Sequence, residues 1–347
     1  MSANNTAASP LVVTGTIGID TVYTPSGHAE STLGGSCTYF AAAASFFGPV
    51  RLVAAVGDDF PEEHCRTIRH FANIDAGGLE VRPGSKTFRW GGKYHDNMDR
   101  RDTLFTELGV LAEAPPKVPE RFRDSRHVFL ANTHPEVQIG LLDAFPNRAL
   151  AVADTMDLWI NTAKASLLNL LKKVDGLVLN YDEAELLTGK RNPVTAARPI
   201  LDMGPNFVVV KKGEHGSLIV HREGIGALPA YPAEIVVDPT GAGDSFAGGM
   251  MGALASGLGG GGGGGDRDVR RPRLRPGGGR GGQGLRGGDR GYPAGERAGG
   301  EVPGRFLRPP ARRGGRARGG RRGRGRDAGA HQARHRRAPA RMPGQVP

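Results

Sequence analysis

The stretch DPTGAGDSFAGG (residues 238–249) joins a Gly-Ala-Gly turn, an acidic residue and a run of small helix-forming residues. The backbone N–H groups of Gly241, Ala242 and Gly243 can point together at an anion, and the positive end of a following helix would face the same spot. Asp244 stands at the start of that helix, where a carboxylate can take the proton of an attacking hydroxyl. The stretch therefore predicts an anion hole beside a general base. An ordinary turn followed by an Asp-capped helix is the alternative interpretation.

Upstream of this stretch, short apolar runs alternate with helical patterns. The predicted strands are LVVTGTIGID, PVRLVAAVGDD, RHVFLAN, ALAVADT, DGLVLN and NFVVVKKG. Such an alternation is typical of an α/β fold whose parallel sheet is covered on both faces. Ligands bind such sheets beyond the carboxyl ends of the strands. The polar residues that end or follow these runs are expected at one rim, and they are Asp20, Asn132, Asp154, Asn180 and Lys212.

Two polar segments do not fit a core strand or helix. Residues 20–33 mix β-branched and turn residues, which predicts a small hairpin. Residues 82–107 contain Trp90 and Tyr94 among small and charged residues. We expect this second segment to form a lid across the mouth of the site, and a plain surface hairpin remains the alternative.

Several motifs, in the same order along the chain, resemble those of one protein family. VVDPTGAGDSFAGGMMGALA resembles the C-terminal signature of the PfkB (ribokinase-like) carbohydrate and nucleoside kinases. GTIGID, LGGSCTYFAAAASFFG and AAVGDDF resemble the N-terminal half of that family, LNYDEAELLTG its Asn-x-x-Glu element, and VVVKKGEHGSLIV a strand and turn beside the nucleotide. The likeness covers residues 11–258, after an extension over residues 1–10. It implies a ribokinase-like three-layer αβα sandwich with a mainly parallel central sheet and a small β lid.

The resemblance also implies a chemistry: transfer of the γ-phosphate of ATP to a primary hydroxyl of a sugar, with Asp244 as general base, Gly241, Ala242 and Gly243 as anion hole, and Mg²⁺ as cofactor. It assigns further residues by position. These are Asp20, Gly34 and Gly35 for substrate hydroxyls; Asn180, Glu183, Lys212, Gly213 and Gly216 for the nucleotide; Glu183 for Mg²⁺ through water; and Asp238 and Thr240 for a monovalent cation such as K⁺. On structural grounds alone, Asp20 could end a strand, Gly34 and Gly35 could form a hairpin turn, and Asn180 with Glu183 could cap a helix.

The substrate is defined less sharply than the reaction. Ribokinases have a polar run with Asn shortly after the Gly-Gly pair, whereas residues 36–40 here are Ser-Cys-Thr-Tyr-Phe, so ribose is not implied. Tyr39, Trp90 and Tyr94 could stack on a sugar face or a base, or could belong to the core. A carbohydrate kinase is the first expectation and a nucleoside kinase of the same family the alternative. Some relatives pair through their lid strands, which implies a homodimer as one arrangement.

Composition changes abruptly at Gly259. Residues 259–347 contain 23 Arg and only 6 Asp and Glu, a net charge of +17 within a chain of 347 residues whose total is +11. Residues 1–258 are therefore net acidic. Segments dominated by Gly, Arg, Pro and Ala cannot build a core, which predicts a disordered tail. These four residues have GC-rich codons, and an out-of-frame reading of a GC-rich gene is one hypothesis for the tail.

A genuine Arg/Gly-rich tail is the competing hypothesis, and such a tail would bind nucleic acid through its charge. Because nothing like the family's final helices and adenine wall follows Leu258, a catalytically impaired chain with a nucleic-acid-binding tail is the other functional alternative.

Other classes of site are absent from the sequence. It contains no P-loop and no HExxH motif, and His64, His70, His95, His127 and His134 are scattered, so we expect core or solvated histidines. The two cysteines, Cys37 and Cys65, form no CxxC pair and no disulfide framework. The N-terminus has no signal-peptide pattern and no run is long enough for a membrane span. These features predict a cytoplasmic protein without membrane partners.

Overall fold

The computed structural model describes residues 10–98 and 100–258 as strands, helices and their connections. In chain order the strands are β1 (Leu11–Thr14), β2 (Gly18–Thr24), β3 (Gly27–Gly34), β4 (Val50–Gly57), β5 (Ile74–Arg82), β6 (Phe88–Tyr94), β7 (Arg101–Glu107), β8 (His127–Leu130), β9 (Leu150–Asp154), β10 (Gly176–Asn180), β11 (Phe207–Lys211), β12 (Ser217–His221) and β13 (Gly224–Leu228). The helices are α1 (Ser36–Ala44), α2 (Glu62–His70), α3 (Pro135–Leu142), α4 (Asp157–Thr162), α5 (Lys164–Leu171), α6 (Tyr181–Thr188), α7 (Pro193–Asp202) and α8 (Ala242–Ala255).

Nine strands form the larger sheet, in the order β13-β12-β11-β10-β9-β8-β1-β4-β5. The seven strands from β11 to β5 run parallel, whereas β12 and β13 continue the sheet as an antiparallel edge. The carboxyl ends of all parallel strands therefore meet at one rim. This arrangement confirms the predicted α/β fold with a mainly parallel central sheet.

Helices cover both faces of the larger sheet. Side chains alternate along each strand, so that in β1 Val12 belongs to one core cluster and Val13 to the other. The Val12 cluster includes buried residues of α3 to α7, and the Val13 cluster includes those of α1, α2 and α8. The result is the three-layer sandwich expected from the sequence.

Four strands form a smaller, separate sheet in the order β3-β2-β6-β7. β2 and β3 make the predicted hairpin of residues 20–33, and β6 and β7 lie within residues 82–107. The structure corrects one prediction here, because LVVTGTIGID is two strands. The chain leaves the larger sheet after Thr14 and enters the smaller sheet at Gly18, so Asp20 lies within β2 rather than at the end of a core strand.

The sequence explains several helix ends. Asn192 accepts hydrogen bonds from the N–H groups of Val194 and Thr195 ahead of α7, whose first residue is Pro193. α6 ends at Thr188, and the next residue, Gly189, caps it with a left-handed φ of 71° that favours glycine. α1 ends at Ala44, four residues before Gly48. Among the helices of residues 10–258, none is both long and apolar enough to cross a bilayer.

Candidate active site

A cavity of about 430 Å³ opens between the carboxyl rim of the larger sheet and the smaller sheet. It brings together residues that are far apart in sequence. All five residues predicted at the rim line it, namely Asp20, Asn132, Asp154, Asn180 and Lys212. The first turn of α8 contributes Gly241, Gly243 and Asp244 to the same wall. The general rule for ligand sites in parallel sheets therefore located this cavity correctly.

Gly241 begins the turn at the start of α8. Its φ of 75° is left-handed, and a Cβ atom there would lie 2.2 Å from the ring of Tyr39. Both the backbone conformation and the space therefore require glycine at this position. The tight turn directs the first residues of α8 toward the cavity.

The free backbone donors at this turn differ in part from those expected. The Ala242 N–H donates to the carbonyl of Pro239 (3.1 Å), so it is not available to a ligand. Within the described residues no backbone acceptor takes the N–H groups of Gly241, Gly243 and Asp244. These are the orphan donors of a helix N-terminus, where the helix dipole also favours an anion. The candidate anion hole thus consists of Gly241, Gly243 and Asp244.

The carboxylate of Asp244 faces the cavity among other charged groups. Burial and then the nearby carboxylate of Asp154 raise the pKa of Asp244 to about 8, with Glu183 acting in the same direction. Lys211 and Arg101 oppose this shift, because their positive charges favour the ionised form. A carboxyl with a raised pKa beside an anion site is suited to accept a proton near neutral pH.

Asn180 and Glu183 form a capping box at the start of α6. The Asn180 side chain accepts from the Glu183 N–H (2.8 Å), and Glu183 Oε2 accepts from the Asn180 N–H (2.7 Å). Asn180 and Glu183 therefore cap a helix, as their alternative interpretation expected, and both also line the cavity. Burial raises the pKa of Glu183 to about 7, while the Lys211 charge works against that shift.

Asp20 is buried in β2 beside the Gly34–Gly35 pair. Its Oδ1 atom is fully buried and has no hydrogen-bond partner in the described part of the chain. A Cβ atom at Gly34 would lie 2.0 Å from the Asp20 carboxylate, so glycine there allows the close approach. Burial and then the charge of Asp238 raise the pKa of Asp20 to about 7, while a hydrogen bond from the Gly35 N–H lowers it. Asp20 thus offers an unused acceptor to a hydroxyl group.

Residues at the end of β11 and in the turn after it contribute to the cavity. Lys212 and Gly213 line the cavity as predicted, whereas Gly216 does not and instead shapes the turn by accepting the Lys212 N–H at its carbonyl (2.8 Å). Lys211, which sequence reasoning missed, also lines the cavity. Two adjacent lysines follow an apolar run here, and both of them line the cavity. The position of Lys211 opposite Asn180 in the neighbouring strand is the signal that could have identified it.

Aromatic side chains form the wall of the cavity on the side of the smaller sheet. Phe88, Trp90 and Tyr94 alternate along β6, and Trp90 lies opposite Asp20 in the register of β2 and β6. Tyr39 of α1 completes this wall. The hydroxyl of Thr240 donates to the Tyr94 hydroxyl (3.1 Å), which connects the smaller sheet to the turn before α8.

The described residues contain no cluster of three or more His, Cys, Asp or Glu side chains arranged to hold a metal ion. The predicted monovalent-cation residues form a local turn, in which Asp238 accepts the Thr240 N–H (2.8 Å), and Asp238 does not line the cavity. His134 caps α3 by accepting the Glu136 N–H at Nδ1 (3.2 Å), and His95 Nε2 lies 3.0 Å from the Asp102 carboxylate. Cys37 and Cys65 are both free.

The chain is similar in sequence to known kinases. The profile described as "pfkB family carbohydrate kinase" matches residues 145–262. A cytidine kinase from Thermococcus kodakarensis is 32% identical over 71% of this chain and 89% of its own length. A 2-dehydro-3-deoxygluconokinase from Thermoproteus tenax is 30% identical over 66% of this chain and 75% of its own.

The fold is also found among solved structures. A ribokinase from Cryptococcus neoformans var. grubii serotype A, in complex with ADP, superimposes with a TM-score of 0.61. The superposition covers 72% of this chain and 88% of that one, at 22% sequence identity. At this identity the likeness shows the ribokinase-like fold.

Proposed function

Because the chain belongs to the pfkB family of carbohydrate kinases, we propose that it transfers the γ-phosphate of ATP to a primary hydroxyl of a sugar-containing small molecule. One observation carries the proposal. Asp244, Gly243 and Asp20 line the same cavity. Among the described residues, no backbone acceptor takes the N–H groups of Gly243 and Asp244, and Asp20 Oδ1 has no hydrogen-bond partner. The candidate base, anion hole and hydroxyl acceptor thus line one cavity.

The proposed reaction follows from these positions. Asp20 accepts hydrogen bonds from substrate hydroxyls and orients the primary hydroxyl toward α8. Asp244 takes the hydroxyl proton while the substrate oxygen bonds to the γ-phosphorus and the bond to the leaving ADP oxygen breaks. The N–H groups of Gly241, Gly243 and Asp244 stabilise the negative charge on the transferring phosphoryl group. Transfer of the proton from Asp244 to solvent completes the cycle.

Oxygen donors near the anion hole fit Mg²⁺ as the cofactor. Glu183 Oε2 is engaged by the Asn180 N–H, which leaves Oε1 for a magnesium-bound water. Mg²⁺ keeps several waters and is commonly held by few carboxylates together with phosphates, so a larger protein cage is not required. Mg²⁺ bound to ATP would neutralise phosphate charge. Asp238 and Thr240 remain our candidates for a monovalent cation such as K⁺.

A nucleoside is the candidate acceptor that the aromatic wall favours over a free sugar. Tyr39, Phe88, Trp90 and Tyr94 line the cavity beside Asp20, and a planar base stacks on such rings. The 32% identity to a cytidine kinase supports the same choice. A carbohydrate acceptor is the other candidate, since the second relative is a 2-dehydro-3-deoxygluconokinase.

The role of Asp244 is tested by Asp244→Asn, which removes the proton acceptor and keeps the shape of the side chain. We expect kcat to fall by about 10²–10⁴-fold because general base catalysis contributes that much. The dissociation constants of ATP and the acceptor, measured by calorimetry, should change little. Asp143→Asn is the matched control, since Asp143 is exposed at the end of α3. A kcat within tenfold of the parent would contradict the proposed base.

A further inference from the structure

Lys211 is the last residue of β11, and the described structure gives its ammonium group no ion-pair partner. It lies opposite Asn180 in the parallel register of β10 and β11 and lines the cavity. Within the described residues, no carboxylate oxygen lies within the 4.0 Å that defines an ion pair with its Nζ atom. The three donor hydrogens of the ammonium group are therefore not committed to a salt bridge.

The position of Nζ is fixed against the first turn of α8. A Cβ atom at Gly243 would lie 2.7 Å from Lys211 Nζ, so the ammonium group occupies the space next to this glycine. The free N–H groups of Gly243 and Asp244 belong to the same turn. The ammonium group thus lies beside two unpaired N–H donors at one wall of the cavity, and neighbouring positive donors of this kind stabilise a developing anion.

The surrounding charges keep Lys211 protonated. Burial alone would lower its pKa, but the carboxylates of Asp154, Glu183 and Asp244 outweigh burial and raise the pKa above the ordinary lysine value. A permanently charged lysine cannot act as the base, so its role is electrostatic. It adds positive charge at the place where the phosphate of ATP would carry negative charge.

We propose that Lys211 is a catalytic residue that contacts the transferring phosphoryl group through its ammonium group. The inference rests on the proposed function and goes beyond it by adding a cation that shares the anion hole with the α8 amides. No proton leaves Lys211 during the reaction. Its N–H groups donate to non-bridging oxygens of the γ-phosphate while the bond to the acceptor oxygen forms and the bond to ADP breaks.

The same position links Lys211 to the ionisation of Asp244. The charged groups that act on the Asp244 carboxylate are Asp154 from β9, Glu183 from α6, Arg101 from β7 and Lys211 from β11. Two neutral groups of α1, the Cys37 thiol and the Tyr39 hydroxyl, also lie near this carboxylate. Two of the charged groups are negative and raise the pKa of Asp244, whereas Lys211 and Arg101 lower it. Removal of the Lys211 charge should therefore raise the pKa of Asp244. Since the base must be deprotonated, the fall in kcat/KM at low pH should then begin at a higher pH.

The test compares Lys211→Met, Lys211→Arg and the control Lys173→Met, a change at an exposed lysine just beyond α5. For Lys211→Met we expect kcat to fall by about 10²–10³-fold, as for loss of an anion-hole donor, and the acid limb of the pH profile to move to higher pH. Lys211→Arg keeps the charge, so its acid limb should stay in place and part of kcat should return. A Lys211→Met kcat within threefold of the parent, with an unmoved acid limb, would overturn the proposal.

A binding measurement separates this proposal from the proposed function. By calorimetry on the full chain, Lys211→Met should raise the dissociation constant of ATP by at least about tenfold and leave that of ADP nearly unchanged, because only ATP carries the γ-phosphate. This difference is measurable in a chain that turns over no acceptor. Equal losses for ATP and ADP, or no loss for either, would overturn the role of Lys211 whatever the acceptor is.

Discussion

Asp20 is a buried carboxyl that lines the ligand cavity, in an environment that disfavours its charge. Its Oδ1 atom has no hydrogen-bond partner among the described residues. A buried carboxylate without a partner lowers the stability of the ligand-free protein, and it contributes to binding when a substrate hydroxyl donates a hydrogen bond to it. Function and stability should therefore respond in opposite directions to its neutralisation.

We predict that Asp20→Asn weakens binding of the acceptor substrate and stabilises the fold. KM for the acceptor should rise roughly 10- to 100-fold, since a hydrogen bond to a charged group contributes about 1.5–3 kcal/mol, while KM for ATP stays nearly constant. The pKa of Asp20 is raised to about 7 in the fold, so its charge costs stability that increases as pH rises from about 4 to about 7. The gain in Tm from Asp20→Asn should thus be larger at about pH 8 than at about pH 5.

Steady-state kinetics and thermal melts at the two pH values check this prediction. Asp143→Asn is again the matched control, because its carboxylate is exposed. A variant that melts lower than the parent at the higher pH, or that loses ATP affinity in parallel with acceptor affinity, would contradict the role given to Asp20.

At the scale of elements, the start of α8 is the part of the fold on which the site depends most. Its turn sets the direction of the free N–H groups, and it is possible only with glycine at position 241, where φ is 75°. The same helix contains Gly249, whose added Cβ would meet only Phe47 at 3.8 Å, an ordinary contact. The two glycines therefore form an internal comparison.

We predict that Gly241→Ala lowers the free energy of unfolding by roughly 1–3 kcal/mol, because the left-handed backbone becomes strained and the methyl group collides with Tyr39. Its kcat should fall together with its stability. Gly249→Ala should instead raise the free energy of unfolding by about 0.5–1 kcal/mol, as expected for alanine in a helix interior. Urea unfolding measures both, and a Gly241→Ala protein as stable as the Gly249→Ala protein would exclude the required turn.

The sequence predicted most elements of residues 10–258, because apolar runs ending in polar residues mark parallel strands and their rim. Asp154 and Asn180 were placed at the cavity in this way. Prediction from the sequence fails where the end of an element depends on tertiary contacts. Three features depend on which residue ends an element: the break between β1 and β2, the place of Lys211 in the cavity beside Lys212, and the loss of the Ala242 N–H to Pro239. A local pattern cannot fix such an end to within one residue.

On the scale of the whole molecule, the charge of the chain is divided very unevenly. The net charge of +11 is the sum of a net negative charge over residues 1–258 and a net charge of +17 over the tail, residues 259–347. The tail, including its predicted disorder and its hypothetical change of reading frame, lies outside the described residues. Its charge alone leads to a prediction about polyanions.

We predict that the full chain binds single-stranded RNA and that truncation after Leu258 abolishes this binding. The affinity of the full chain should fall steeply between about 50 and 200 mM salt, since binding releases counterions from the phosphates. Filter binding with a poly-uridine probe measures it. Affinity retained by the truncated chain, or insensitive to salt, would place RNA binding elsewhere.

Phosphoryl transfer to a primary hydroxyl is the activity that the fold and the candidate site together support. The most direct measurement is acceptor-dependent ADP formation by the full chain with ATP and Mg²⁺, with mass spectrometry of the product. The panel contains nucleosides, free sugars, 2-dehydro-3-deoxygluconate, and a 5′-deoxynucleoside that lacks the primary hydroxyl. We predict ADP formation and a singly phosphorylated product with at least one nucleoside, and no product with its 5′-deoxy analogue. Asp244→Asn should lower the rate of ADP formation by about 10²–10⁴-fold. A chain that melts cooperatively but forms no acceptor-dependent ADP with any member of the panel would contradict the account.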